Sequence, residues 1–530
     1  MAKRQGPEVH PVSSAQVEAL LVTLRALLPP ETYALVESLL RTLLWIMAVL
    51  EQKKATLGRL RDALFGSKSE KTDKLFPEKA GSEDPKQAAH PKAKRPGHGR
   101  RGTEAYPGAK RVPVPHPQCR PGNLCPECLK GKLYLLKKPA RLVCIIAQPI
   151  FNATLYELER WRCALCGKVF TAPAPSEAGT AKYDPSVGTM LAIQRYGAGL
   201  PMYRIAKWQE YFGVPMPAST QWELIAAAAA VPEVIYEKLI ERGAQGALIH
   251  NDDTFMRVQS LRREIAAQED GGRTGIFTTN LLCQTGSNQI ALFFTGRKHA
   301  GENLDELLKR RAADLNKPLQ MCDALSRNPP KASPTDLCHC LLHGRRNFVD
   351  PIENFPEACR KVIESLREVY RLEAQIKEDR LSDADRLACH QAQSGPVLED
   401  LQHWMKVQLD QKKVEPNSGL GRALGYMLKH WEALTRFLKV PGAPLDNNVC
   451  ERALKMAILH RKNSLSYKTL RGAQVGDIFM SLIHTCQLNG VNPFNYLTAL
   501  QTHAAEVAKD PACWLPWNYQ QAAPGSLNSG

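Results

Sequence analysis

Acidic residues are in short supply: 53 Asp and Glu stand against 70 Lys and Arg in 530 residues, a formal net charge of +17. That deficit favours a polyanionic partner, although a basic surface also serves solubility alone. Long apolar runs are lacking as well. The longest, LLRTLLWIMAVL, contains Arg41, is flanked by Glu37 and Glu51, and is short for a bilayer span. The opening MAKRQGPEVHPVSS has no apolar segment of the secretory kind. A soluble protein with no membrane partner is expected. Fifteen cysteines, an odd number mostly embedded in apolar runs, suit a reducing compartment. The length calls for several domains, and 44% hydrophobic residues can bury a sizeable core.

After Pro29-Pro30 the pattern predicts one long helix over 31–65. Val36, Leu39, Leu43, Ile46, Leu50, Leu57, Leu60 and Leu64 alternate between a and d heptad positions, with Lys53 as one polar break and Gly66 as the stop. A coiled-coil dimer seam or a helix packed on its own chain both fit. The next stretch is rich in Pro, Gly, Lys and Arg, has no apolar period, and reads as a flexible linker. Lys86 to Arg111 holds eight basic residues and a single acid, Glu104. Within it, Lys94, Arg95, Arg100 and Arg101 are candidates to lie along a phosphate backbone or in a minor groove. A solvated linker without fixed contacts is the alternative.

Cys125-Pro-Glu-Cys128 and Cys163-Ala-Leu-Cys166 are two CxxC knuckles with 34 residues between them. The gap holds strand-like KLYLL, RLVCII and NATLYELERW. Two such knuckles at hairpin ends place four thiolates around structural zinc, a zinc ribbon. A redox dithiol pair would want a βαβ setting that is missing here. Cys119 and Cys144 stand in reserve as ligands. Residues 184–242 read as helical. PMYRIAKWQEYFG and STQWELIAAAAAVPEVIYEKLIERG, joined by GVPMPA, resemble a helix-turn-helix. Gln221 is nearly all that its second helix offers to base edges, so packing of Ala226–Ala230 against a core is the preferred role.

From Gln245 the pattern turns to strands. GALIHNDDTFMRVQS, RTGIFTTNLLCQT and NQIALFFTG precede a helix, ENLDELLKRRAADL, and a short strand, PLQMCD. Residues 351–440 are helical and charged, and a compact helical tail follows. Asp252 and Asp323 each end an apolar strand-like run, and Glu451 sits in the first turn of a later helix. That order suits a ribonuclease-H-like core, which gathers distant carboxylates around two divalent cations against a phosphodiester. Magnesium, or manganese in its place, suits such hard oxygen ligands. Asn448 reads as the N-cap of the last helix, which leaves Glu451 open to a capping-box role instead. Asp253 competes with Asp252, and strand alternation favours Asp252; Asp446 is the fallback for Glu451.

HNDDTFMRV, QMCDALSRN, HGRRNF and LDNNVCERALKMAILHRKNS resemble the transposases of the insertion-sequence sixty-six family. So do LRDALFGSKSEK, the CPEC…CALC pair, YGAGLPMYRIAKWQEYFG and the tail GAQVGDIFMSLIHTCQLNGVNPFNYLTAL, in order from about residue 58 to 500. The resemblance implies Asp252, Asp323 and Glu451 as the catalytic, magnesium-binding acids. It implies phosphate contacts for His343, Arg345, Arg346, Arg461, Lys462 and Asn463, with salt bridges to the insertion's acids as the alternative. The family's usual Asp-Glu-Thr is Asp252-Asp253-Thr254 here, its Asp-Gly-Tyr is Asp323-Ala324-Leu325, and its Cys-Trp-Ala-His is Cys340-Leu341-Leu342-His343.

The expectation is a multidomain α+β protein. It comprises an N-terminal coiled-coil helix (1–66), a basic linker (67–112), a zinc ribbon (113–175) and a helical DNA-binding region (176–243). A ribonuclease-H-like α/β core follows (244–350 and 441–475), split by a helical insertion (351–440) and ended by a helical tail (476–530). By resemblance it is a DDE transposase in the bacterial cytoplasm and nucleoid. It would act on the terminal inverted repeats of its own element and on target DNA, as a dimer or larger assembly, with small companion proteins of the same element. Two rivals share much of this: a catalytically inactive, zinc-dependent DNA-binding descendant, and a structure-specific nuclease.

Overall fold

The computed structural model describes residues 14–41, 112–136, 140, 150–178, 181–268 and 272–523. The chain divides into two units, Met1–Gly81 and Ser82–Gly530. In the first, helix α1 (Ser14–Leu27) is followed by a second helical stretch over 30–41, where Leu35 and Leu39 are exposed. The rest of the heptad segment and nearly all of the basic linker, with Lys94, Arg95, Arg100 and Arg101, lie outside the described residues, as does Cys144.

The second unit opens with a small two-stranded sheet, β1 (Arg160–Arg162) paired with β2 (Val169–Thr171). Of the strand-like segments read there, RLVCII lies outside the described residues, and the end of NATLYELERW forms β1. KLYLL contributes one isolated bridge, Leu124 to Lys132; Leu133 is half-buried, and Tyr134, Leu135 and Leu136 are exposed. Helices α2 (Pro185–Ala192), α3 (Met202–Tyr211), α4 (Ala218–Ala228) and α5 (Ala230–Gly243) come next. The single long helix read from Ser219 onward is thus two, divided at Ala229, with Pro232 in the first turn of α5, where its missing N–H costs nothing. Gly188 lies under α4 so tightly that a Cβ would come 2.8 Å from that of Ala228. The alanine run therefore serves close packing.

The main sheet has the order β5-β4-β3-β6-β7. Strands β3 (Leu248–Phe255), β4 (Phe277–Thr285) and β5 (Asn288–Gly296) are antiparallel neighbours, with helix α6 (Gln259–Ala266) between the first two. A two-residue turn closes β4 onto β5, and Gly286 takes φ +59° there, a conformation glycine adopts without steric cost. Helix α7 (Ala300–Leu308) crosses back, so that β6 (Leu319–Cys322) runs parallel to β3 and β7 (Asp336–His339) parallel to β6. β7 was not read from the sequence: DLCH is too short and too polar at its start to announce itself.

Next come α8 (Leu341–Arg346) and the helical stretch read from the sequence as an insertion: α9 (Pro356–Glu378), α10 (Asp383–Cys389), α11 (Gly395–Asp410) and α12 (Gly419–Lys429). The insertion buries an apolar set of its own, including Val362, Leu366, Leu398, Leu401, Leu420 and Leu424. Within it, buried Glu373 takes Arg386 at 2.9 Å, His390 at 3.0 Å and Lys377 at 2.9 Å. Burial alone would raise its carboxyl; these three partners outweigh that and hold it at about 2.

Helices α13 (Asn448–Ser464), α14 (Leu470–Leu488) and α15 (Pro493–Thr502) return to the main core. α14 covers the edge strand β5. Asp477, Ser481, Thr485 and Asn489, four residues apart, accept the backbone N–H groups of Thr295, Phe293, Ala291 and Gln289, two residues apart, at 2.7–3.2 Å. The periods match: four helical residues rise about 6 Å and two strand residues about 6.6 Å. Polar side chains on a buried helix face thereby satisfy an edge that would otherwise invite another strand.

Candidate active site

Asp252 sits in the C-terminal half of β3. The parallel register pairs Leu248 with Leu319 and His250 with Met321, and its continuation sets Asp252 opposite Asp323, the residue just after β6. Each carboxylate accepts the next residue's N–H: Asp253 at 2.8 Å for Asp252, and Ala324 at 2.7 Å for Asp323. Alternation turns Asp253 the other way. Its buried carboxylate faces His299 Nδ1 at 3.1 Å and Arg327 Nη2 at 3.1 Å, so it ties β3 to α7 and the loop after β6.

Glu451 arrives on α13. Asn447, not Asn448, is the N-cap residue, and Glu451 falls one position beyond that of a capping-box glutamate. Asp446 accepts the N–H of Asn448 at 3.0 Å and so shapes the turn into the helix. Fully buried Asn447 joins the converging segments. Its Nδ2 donates to Asn251 O (3.2 Å), its Oδ1 accepts from His250 Nδ1 (2.9 Å), and its N–H donates to Cys340 Sγ (3.3 Å). Burial pushes the His250 imidazole down to about 4, so it is neutral with its proton on Nδ1.

His343, on α8, stands between two of the acids: its Nε2 is 3.8 Å from Asp323 Oδ2 and 3.8 Å from Glu451 Oε1. Burial, and then the nearby Asp323 charge, push the Tyr426 phenol up, and its ring packs on His430 with centroids 4.9 Å apart. Burial, then the charges of Asp253, Asp323 and Glu451, push the Asp252 carboxyl up to about 7. Carboxylates this close raise one another's pKa.

Residues 181–475 match the family model described as Transposase IS66 family. The chain belongs to the IS66 transposase family. It is 26% identical over 419 residues to the uncharacterized protein y4jD of Sinorhizobium fredii (strain NBRC 101917 / NGR234), covering 74% of this chain and 78% of that one. Two more uncharacterized proteins of that organism are similar. y4hP is 24% identical over 393 residues (70% and 68% of the two chains), and y4qI is 25% identical over 354 residues (63% and 62%). The resemblance read from the motifs is borne out, and the family supports a role in DNA transposition, with DNA as partner and a need for a divalent metal. No helix among the described residues is long and apolar enough to cross a membrane.

The remaining site candidates of this IS66-family chain divide. Arg461 Nη1 donates to Thr254 Oγ1 (3.0 Å) and to the Phe255 carbonyl, capping the end of β3 rather than meeting the insertion's acids. Asn463 donates to Gly199 O at 2.9 Å, Arg345 is half-buried, and Arg346 and Lys462 are exposed. Gln221 is buried and donates to the Met202 and Met216 carbonyls (3.1 and 2.8 Å), so it holds the α3–α4 turn and reads no base. The sequence reading passed over the outer face of α3. Tyr203, Lys207 and Tyr211 recur every four residues there, with Arg204, Trp208 and Phe212 beside them, all exposed. That i, i+4, i+8 spacing was the available signal.

The two CxxC turns are built alike. Cys125 N–H donates to Gly131 O and Leu129 N–H to Cys125 O; Cys163 N–H donates to Lys168 O and Gly167 N–H to Cys163 O. The residue after each second cysteine has positive φ, Leu129 at +55° and Gly167 at +69°. Gly131 N–H also points at Cys128 Sγ, 3.5 Å away. Backbone hydrogen bonds within each turn draw the Cys128 and Cys163 thiols downward. Among the described residues the four sulfurs form one pair per turn rather than a single cluster. Cys119 is paired locally with His116.

Proposed function

We propose that this chain is a metal-dependent DDE transposase that cleaves the ends of its element and joins them to target DNA. The observation that carries the reading is the convergence of Asp252, Asp323 and Glu451 from two adjacent parallel strands and a helix packed across β3 and β4. Three antiparallel strands followed by two parallel ones, with a crossover helix between the groups, support a ribonuclease-H-like core.

The three acids suit two magnesium ions. They offer hard oxygen donors, His343 is the basic group seen between Asp323 and Glu451, and the raised Asp252 carboxyl is relieved by a cation. Bound there, the ions would polarise the scissile phosphate and lower the pKa of the attacking hydroxyl. The chain's own work is positioning. Asn447 locks the strand of Asp252 to the helix of Glu451, and Arg461 closes the end of that strand. The matched CxxC turns, with an N–H aimed at sulfur, suit structural zinc held by Cys125, Cys128, Cys163 and Cys166. DNA contacts fall to the basic linker, the ribbon, the exposed Arg346 and Lys462, and the aromatic and basic face of α3. The heptads of the first unit supply a route to the dimer that two element ends require.

Wild type and Asp252→Ala, incubated with labelled end DNA, a target plasmid and magnesium, test the reading. Wild type should nick the ends and give strand-transfer products, and the variant should bind without cutting. End binding with no cleavage in magnesium or manganese would overturn the reading in favour of an inactive DNA-binding descendant. Cutting of branched DNA regardless of end sequence, with no joined product, would leave a structure-specific nuclease.

A further inference from the structure

Beside the acids stand two further side chains that carry ligand atoms, Cys340 and His343. Cys340, His343 and Glu451 bring one ligand atom each within 4.8 Å of one another. Cys340 follows β7 and caps α8, His343 is one turn further along α8, and Glu451 enters from α13, so two segments remote in sequence meet at one point. His343 presents Nε2 to Glu451 Oε1 at 3.8 Å, while its Nδ1 is buried without a hydrogen-bond partner among the described residues. Asn447 N–H points at Cys340 Sγ from 3.3 Å, the same arrangement that Gly131 makes with Cys128 in the first CxxC turn.

We infer that Cys340, His343 and Glu451 form a site for a thiophilic divalent cation, zinc above all, which withdraws Glu451 from the magnesium-binding acids and switches the site off. The inference rests on the assignment of Glu451 to the proposed transposase centre. Ligand type decides the selectivity. Magnesium takes oxygen and shuns sulfur, whereas a thiolate, an imidazole and a carboxylate are a zinc donor set with one position left for water. Geometry is close to what zinc needs. Bonds of about 2.0–2.3 Å imply ligand separations of roughly 3.3–3.8 Å, so a cation need draw the three atoms together by only about an ångström. On binding, the Cys340 thiol proton leaves to solvent, the neutral imidazole gives its Nε2 lone pair, and Glu451 turns from Asp252 and Asp323 toward sulfur. With Glu451 turned toward Cys340, Asp252 and Asp323 are left without their third carboxylate, so zinc weakens magnesium binding at the acids.

Cobalt(II) titration of the full-length, metal-stripped protein tests the site directly, because cobalt on thiolate gives a charge-transfer band in the near ultraviolet. Wild type should bind one more equivalent than Cys340→Ser or His343→Gln, and the sulfur band should be missing from the Cys340→Ser difference spectrum. The CxxC cysteines contribute equally to every protein and cancel. Equal stoichiometry and equal spectra in wild type and variants would overturn the site. Should Cys340→Ser fail to fold by its melting curve, His343→Gln, on a partly exposed side chain, carries the comparison alone. In the cleavage assay, zinc should inhibit magnesium-supported cutting by wild type, and the variants should need roughly tenfold more zinc or greater. Equal inhibition of all three proteins would overturn the switch. A protein that never cuts DNA but still shows the additional cobalt equivalent would retain the metal site and lose the transposase reading.

Discussion

Asn447 Oδ1 lies 2.9 Å from His250 Nδ1, two buried side chains almost 200 residues apart in sequence that fasten the helix of Glu451 to the strand of Asp252. Removing the amide leaves the His250 N–H and the Asn251 carbonyl without partners in a dry setting. Asn447→Ala should therefore cost about 2–4 kcal/mol in urea unfolding. DNA cleavage should fall further than the stability loss accounts for, because the third acid is no longer held in place. Full activity at saturating magnesium would show that Asn447 has no positioning role.

Asp252, Asp323 and Glu451 repel one another when no cation is bound, and Asp252 is buried besides. Alanine at any of the three should lower cleavage by about 10³-fold or more while end binding persists, as measured by gel shift beside product formation. Asp252→Asn should melt higher than wild type in chelator at pH 8, by about 1–2 kcal/mol, because the amide carries no charge to desolvate. The gain should vanish once magnesium is added.

Asp477 supplies the pH dependence. Burial pushes its carboxyl up to about 7, against the opposing hydrogen bonds from Thr295 N–H (2.7 Å) and Thr295 Oγ1 (2.6 Å). A folded pKa above the unfolded value of 3.8 means that the folded state binds the proton more tightly. Its contribution is complete below about pH 4 and is lost as pH rises through about 7, a difference on the order of a few kcal/mol. Asp477→Asn should flatten the fall in melting temperature between pH 5 and 8. Its amide can still accept the Thr295 N–H and can donate to Thr295 Oγ1. An unchanged pH profile would contradict this.

The exposed face of α3 should bind DNA through charge and stacking. Lys207→Glu should weaken DNA binding and lower the slope of log affinity against log salt by about 1, with no loss of melting temperature. Tyr211→Ala should weaken binding to single-stranded DNA by about 1–3 kcal/mol and leave the salt slope unchanged. Titration by fluorescence anisotropy at several salt concentrations reads both.

Much of the site was legible in the chain because local chemistry marked it. Acids ending apolar runs, paired cysteines around two intervening residues, and a glutamate in the first turn of a helix are features of neighbouring residues. Alternation along β3 separates Asp252 from Asp253, since consecutive strand side chains point to opposite faces. The three strands of the antiparallel half were equally plain from their β-branched and aromatic runs between turn residues.

Tertiary structure decided what depends on contacts between remote segments. DLCH becomes a strand only because β6 offers it a hydrogen-bonding edge. Gln221 could face base edges in the sequence, and only packing turns it to the Met202 and Met216 carbonyls; the place of His343 between Asp323 and Glu451 likewise appears only in the fold. Asp477, Ser481, Thr485 and Asn489 look like scattered polar positions in a tail helix. Laid along β5, they become partners for its unpaired N–H groups. A period within one segment is written in the order of its residues. A partner almost 200 residues away is chosen only when the chain closes and buried polar groups must find one another.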